Sequence, residues 1–109
     1  MPSGARDDPT LPRAIILQPN DGCLTLARAL HRRGVEVHVL TSPEYSYVAA
    51  SRDVEGEVLP EPVRDPEPWL EALGALADDG GGVVLSGSDS ASEWLTRHRA
   101  VLAPTLRTF

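Results

Sequence analysis

The sequence predicts an α/β domain built on a small open parallel sheet of about four strands, with helices on both faces. Three observations carry this. Ala14-Ile15-Ile16-Leu17 is a continuous apolar run, the pattern of a strand covered on both sides. A stretch of helical period separates it from a second run, Val35 to Leu40, which is the spacing of a parallel strand–helix–strand unit. A third apolar run, Val83-Val84-Leu85, is again followed by a polar loop and a helical pattern.

Taken in order, the first strand spans Arg13 to Gln18 and stops at Pro19-Asn20-Asp21-Gly22, a cluster of turn formers. The first helix spans Gly22 to Arg33. Cys23, Leu26, Ala27 and Leu30 share one face, and Arg28, His31 and Arg32 face away. Basic residues in its last turns suit the helix dipole, and Gly34 suits the position after the cap. The crossover to the second strand is expected to be right-handed. After the turn at Ser42-Pro43-Glu44, Tyr45 to Ala50 reads as a short helix, and Glu57 to Leu59 as a third strand stopped by Pro60. Asp65 reads as an N-cap with Pro66 at the first helical position. Leu70, Leu73, Leu76 and Ala77 line the second long helix, which Gly80-Gly81-Gly82 ends. The fourth strand is Val83 to Leu85. The last helix runs from Ser90 to Leu102, where Ser90 and Glu93 have capping-box spacing and Pro104 stops it.

With the third strand outside the second, the sheet order is 3-2-1-4. The winding then reverses between the first and fourth strands. Ligands of open α/β sheets sit at the carboxyl ends of strands flanking such a reversal. That nominates two loops, Gln18 to Cys23 and Ser86 to Ser90, and within them Asn20, Asp21, Gly22, Ser88 and Asp89 as candidate substrate-binding residues.

Composition narrows the function. The chain has 109 residues and a formal net charge of −6. The negative balance excludes the basic footprint of a nucleic-acid binder and of a protein docking on anionic membranes. The first 12 residues are polar and proline-rich with no apolar core of a signal peptide, and read as a disordered leader to a single domain over residues 13–109. The lone cysteine excludes an internal disulfide and fits a reducing, cytoplasmic setting.

The loops themselves lack familiar chemistry. The first has a single glycine where a dinucleotide fingerprint needs three, and no lysine for a phosphate loop. Asn20 or Asp21 reads as a helix cap, and so does Asp89 or Ser90 in the second loop. Cys23 falls on the apolar stripe with no histidine placed to activate it. His31, His38 and His98 have no metal-ligand spacing. The first two read as exposed and His98 as partly packed, while Trp69 and Trp94 read as packing residues. The acidic stretch Asp53 to Glu67 is broken by prolines and reads as a solvated loop. No catalytic residue is assigned. Ser51-Arg52 stands outside any periodicity and is the candidate interdomain contact, since arginine suits such pairing.

One ordered set of segments goes further. It comprises Asp21-Gly22, Leu24-x-Leu26-Ala27-Arg28-Ala29-Leu30, Arg33-Gly34-Val35-x-Val37, Ser51-Arg52, Leu59-Pro60, Asp65-Pro66-x-x-Trp69-Leu70-x-x-Leu73 and Ser88-Asp89. Together they resemble the amino-terminal, Rossmann-like pre-ATP-grasp domain of ATP-grasp carboxylate–amine ligases, over about Arg13 to Leu102. The resemblance implies a domain that packs on a following ATP-binding part and lends loops to the acceptor-substrate site without catalysing alone. ATP and magnesium would belong to the parent enzyme, and none to this stretch. The isolated domain is expected to self-associate through the face that the following part would cover. A stand-alone Rossmann-like ligand-binding or interaction module is the alternative. The amino-terminal half of a two-domain glycosyltransferase is another, although the first loop lacks the usual glycine–histidine start.

Overall fold

The computed structural model of the protein describes residues 12–20 and 22–108. The leader, apart from Pro12, and the candidate Asp21 therefore lie outside the described residues. Five strands form one all-parallel sheet: β1 (Ala14–Leu17), β2 (Val37–Thr41), β3 (Glu55–Val58), β4 (Gly82–Ser86) and β5 (Leu106–Thr108). Their order is β3-β2-β1-β4-β5. Four helices connect them: α1 (Gly22–Arg32), α2 (Ser46–Ala49), α3 (Glu67–Asp78) and α4 (Asp89–His98). This is a Rossmann-like arrangement with the expected order 3-2-1-4, extended by one edge strand. Among the described residues no helix is long and apolar enough to cross a membrane.

The alternation of side chains along each strand builds two cores. Ile15 and Leu17 of β1, Leu40 of β2 and Val84 of β4 face α3 and α4, where Trp69, Leu73, Trp94 and Leu95 cover them. Ile16, Val37 and Val39 face the other way, onto Cys23 and Ala27 of α1 and Val48 of α2. All four residues of β1 are buried, as its uninterrupted apolar run requires of the central strand.

Helix α1 ends as the sequence suggests. The Val35 N–H donates to the Leu30 carbonyl and the Gly34 N–H to that of His31, the paired bonds of a Schellman motif. These bonds occupy Val35, so β2 begins two residues later than expected, and Thr41 extends it at the other end. The third strand is displaced too: β3 starts at Glu55 because Glu55 pairs with His38, and it ends before Leu59. Gly56 is needed here. A Cβ at that position would stand 2.1 Å from the Ala49 carbonyl oxygen of α2.

Three expectations are corrected. Asp65 does not cap α3. Its N–H belongs to a turn closed on the Glu61 carbonyl, and the cap is Pro66, already in helical conformation. The last helix ends at His98 in a 3-10 turn over Arg99–Val101, which frees the chain after Pro104 to return as β5. His38 is half-buried and not free. Its Nε2 lies 2.5 Å from Glu36 Oε2, and Glu36 also meets Arg13 Nε at 3.0 Å. By contrast, Trp94 packs in the core, tilted on His98 at a ring separation of 4.4 Å.

The hydrogen bond to His38, aided by the Arg13 charge, holds the Glu36 carboxyl below its ordinary value of 4.5. A depressed carboxylate contributes stability that is present above its unfolded value and lost as pH falls through its folded one. Glu36→Gln is therefore expected to lower the unfolding free energy slightly at neutral pH, by about 0.5 kcal/mol given the exposed carboxylate, and to lower the urea midpoint with it. The difference from the unsubstituted chain should shrink as pH falls below 4.5. A difference that stays constant through that range would exclude the linkage.

Candidate functional site

The winding reverses between β1 and β4, so the candidate site is the pair of loops at their carboxyl ends. The two loops touch closely. The Gly87 N–H donates to the Leu17 carbonyl at 2.8 Å, and the Gln18 N–H donates to the Leu40 carbonyl at 2.8 Å on the other side. Gln18 then turns through φ 47°, the only non-glycine residue with positive φ among those described. That sparsely populated conformation carries the chain sharply away from the sheet into buried Pro19.

Asn20 starts α1. Its side-chain oxygen accepts from the Gly22 N–H at 3.0 Å, and its backbone carbonyl accepts from Cys23 N–H at 3.0 Å. Asn20 thus holds the turn that leads into α1 while staying exposed, and the cap position itself, Asp21, lies outside the described residues. Cys23 is buried. Its thiol points at Asn20 Oδ1, 3.6 Å away, and at the Gly87 carbonyl, 3.8 Å away, so it bridges the two loops.

On the β4 side the cap is Ser88. Its hydroxyl accepts from the Ala91 N–H at 3.2 Å, with the backbone extended at φ −163° and ψ 167°. The expectation that Asp89 or Ser90 caps this helix is thus corrected. Both lie inside the first turn, and the capping-box spacing of Ser90 and Glu93 falls two residues too late. Asp89 is exposed at the first helical position, where its charge suits the dipole. Ser92 reaches back to donate to the Ser86 hydroxyl at 2.8 Å. Gln18 and Ser86 fall in the two loops that strand order nominates, though not among the five named candidates, whereas Ser92 was missed. Ser92 lies inside α4, and no local pattern marks it out from the other serines of that stretch.

These assignments separate two serines that look alike in sequence. Ser88→Ala is expected to cost about 1 kcal/mol through loss of the cap. Ser90→Ala should change the unfolding free energy read from urea by no more than a few tenths of a kcal/mol. Equal effects of the two would place the cap elsewhere.

The structure therefore brings Asn20 and Gly22 together with Gly87, Ser88 and Asp89 around one reversal point. It does not bring Ser51-Arg52 there. Helix α2 carries the chain back along the sheet, so these two residues lie at the amino end of β3. Arg52 is exposed and lines a groove of about 330 Å³ with Asp53, His31 and Glu36. Asp53 in turn meets Arg28 at 3.9 Å and His31 at 3.7 Å. The candidate substrate-binding loops and the candidate interdomain residues are thus at opposite ends of the sheet.

Chemically, the reversal point offers, among the described residues, hydroxyls, the amides of Gln18 and Asn20, the Asp89 carboxylate and two helix starts. Such groups hold and orient a polar ligand. Among the described residues no three His, Cys, Asp or Glu side chains are grouped to hold a metal ion. Compared with protein-family models, with curated proteins and with solved structures, the chain has no significant match in any of the three.

Proposed function

We propose that this chain is the amino-terminal, pre-ATP-grasp domain of an ATP-dependent carboxylate–amine ligase, and that it works in the cytoplasm. It lends the Asn20–Gly22 and Ser88–Asp89 loops to the wall of the acceptor-substrate site. The bond-forming chemistry, with ATP and magnesium, belongs to the ATP-grasp part with which it packs.

One contact carries this reading. Two pieces of the ordered motif set, Leu59-Pro60 and Trp69-Leu70, meet where the Trp69 indole N–H donates to the Pro60 carbonyl at 2.6 Å. Leu59 packs in the same core as Trp69 and Leu73. Segments that stand apart in sequence thus serve one purpose, fixing the chain after β3 against α3. The sheet order with its reversal between β1 and β4 agrees with the same reading. Exposed Val63, just beyond the carboxyl end of β3, supplies apolar surface for a following domain.

The test is to read the gene past the codon for Phe109. An ATP-grasp coding region in frame, or immediately adjacent, supports the reading. A stop codon with no such region nearby overturns it.

A further inference from the structure

Strand β3 is the outermost strand of the sheet on its side, and all four of its residues are exposed. The Leu59 N–H donates to the Thr41 carbonyl at 2.7 Å. In a parallel ladder alternate residues bond to the same neighbour. Glu57 therefore bonds toward β2 as Leu59 does, and the N–H and C=O groups of Gly56 and Val58 point outward. An edge of this kind is a template for a further strand unless something blunts it. No proline stands in β3, and what guards the edge is its shortness and the two anions Glu55 and Glu57, which repel a like strand but not a basic one.

A groove of about 530 Å³ runs beside this edge, between β3 and α3. Leu40, Leu59 and Ala72 give it an apolar floor, and Glu55, Glu57 and Glu71 line it with carboxylates. Glu55 and Glu57 come to the same face because they are two apart on a strand, in register with His38 and Leu40. Among the described residues no arginine or histidine forms an ion pair with any of the three.

We propose that this edge receives an extended, lysine- or arginine-bearing segment of a partner polypeptide, added as a strand beside β3. Main-chain bonds to Gly56 and Val58 hold it, and alternate side chains select it. Its basic residues lie in the groove, with aliphatic stems on the apolar floor and cationic ends at the three carboxylates. Charge also decides against a second copy as occupant. Pairing β3 with β3 sets Glu55 and Glu57 of one chain against the same residues of another, and opposed like charges destabilise a strand pair.

The test uses the full chain, labelled with nitrogen-15, and a capped peptide of alternating lysine and valine. Saturable shifts of the Gly56 and Val58 amides are expected. A peptide of alternating lysine and proline, equal in charge but unable to pair as a strand, should bind at least about tenfold more weakly. Replacing Glu55, Glu57 and Glu71 together by glutamine should weaken the lysine–valine peptide about tenfold or more. Val58→Pro removes one outward donor without changing charge and should weaken it as well. Equal binding of both peptides, shifts confined to other regions, indifference to the triple variant or no binding would each overturn the proposal. So would concentration-dependent shifts of Gly56 and Val58 without peptide, which would make a second copy the occupant.

Discussion

Trp69→Ala is expected to lower the stability of the chain by about 4 kcal/mol. Domains of this kind hold about 5 to 15 kcal/mol in all, so the substitution should bring the chain close to unfolding at ambient temperature. The side chain is 1% exposed and sits among Leu59, Leu73 and the strand residues Ile15 and Leu17. Its ring tilts on Trp94 at a separation of 6.2 Å. Truncation removes the largest apolar group from that core and opens a cavity that strands on one side and helices on the other cannot easily close. It also leaves the Pro60 carbonyl without its donor. Trp69→Phe separates the two effects. It keeps most of the volume and loses the hydrogen bond, so a cost of about 1 to 2 kcal/mol is expected. Urea unfolding followed by far-ultraviolet circular dichroism measures both. An alanine variant within about 1 kcal/mol of the unsubstituted chain would show that the β3–α3 junction does not rest on this residue.

The parts legible in the sequence were those in which local pattern and tertiary packing agree. The apolar run of β1 can only be a strand buried on both faces, and the stripe on α1 with Gly34 behind it fixes one helix and its end. Strand β5 was not legible. Leu106–Thr108 has no alternation long enough to read, and it is a strand only because Gly82 and Val83 of β4 pair with it. The cap of α4 failed for a similar reason. Ser90 and Glu93 have the right spacing, but Gly87 is bonded to Leu17 of β1, and this sets the next residue, Ser88, in the extended conformation that a cap needs. His38 looked exposed because alternation along β2 places it on a face that only α3 could cover, and its bond to Glu36 joins residues two apart. The location of the candidate site, in contrast, followed from strand order alone. Its detailed geometry did not, because the close approach of the two loops and the turn at Gln18 depend on contacts between β1 and β4.

That close approach gives the second large effect. Gly87→Val is expected to destabilise the chain by about 3 kcal/mol. A Cβ at Gly87 would stand 2.6 Å from Pro19 Cα, 2.9 Å from the Gln18 carbonyl oxygen and 3.0 Å from that of Leu17. Every one of these atoms is backbone, so no flexible side chain can swing away. The Gly87 N–H is meanwhile held to Leu17 by its hydrogen bond, and Gln18 already occupies a strained conformation. Relief requires the two loops to part, which breaks that bond and the contact of Cys23 with the Gly87 carbonyl. The damage should therefore be local before it is global. Amide hydrogen exchange at Gly87 and Cys23 should accelerate more than in the β2 strand, and the unfolding midpoint should fall. Gly74→Ala is the contrasting case. It lies on the exposed side of α3 with nothing within 4 Å of the added carbon, so it should stabilise the chain by about 0.5 to 1 kcal/mol. If Gly87→Val left both the midpoint and exchange at Gly87 unchanged, the two loops would not be in the contact described, and the candidate site built on that contact would lose its basis.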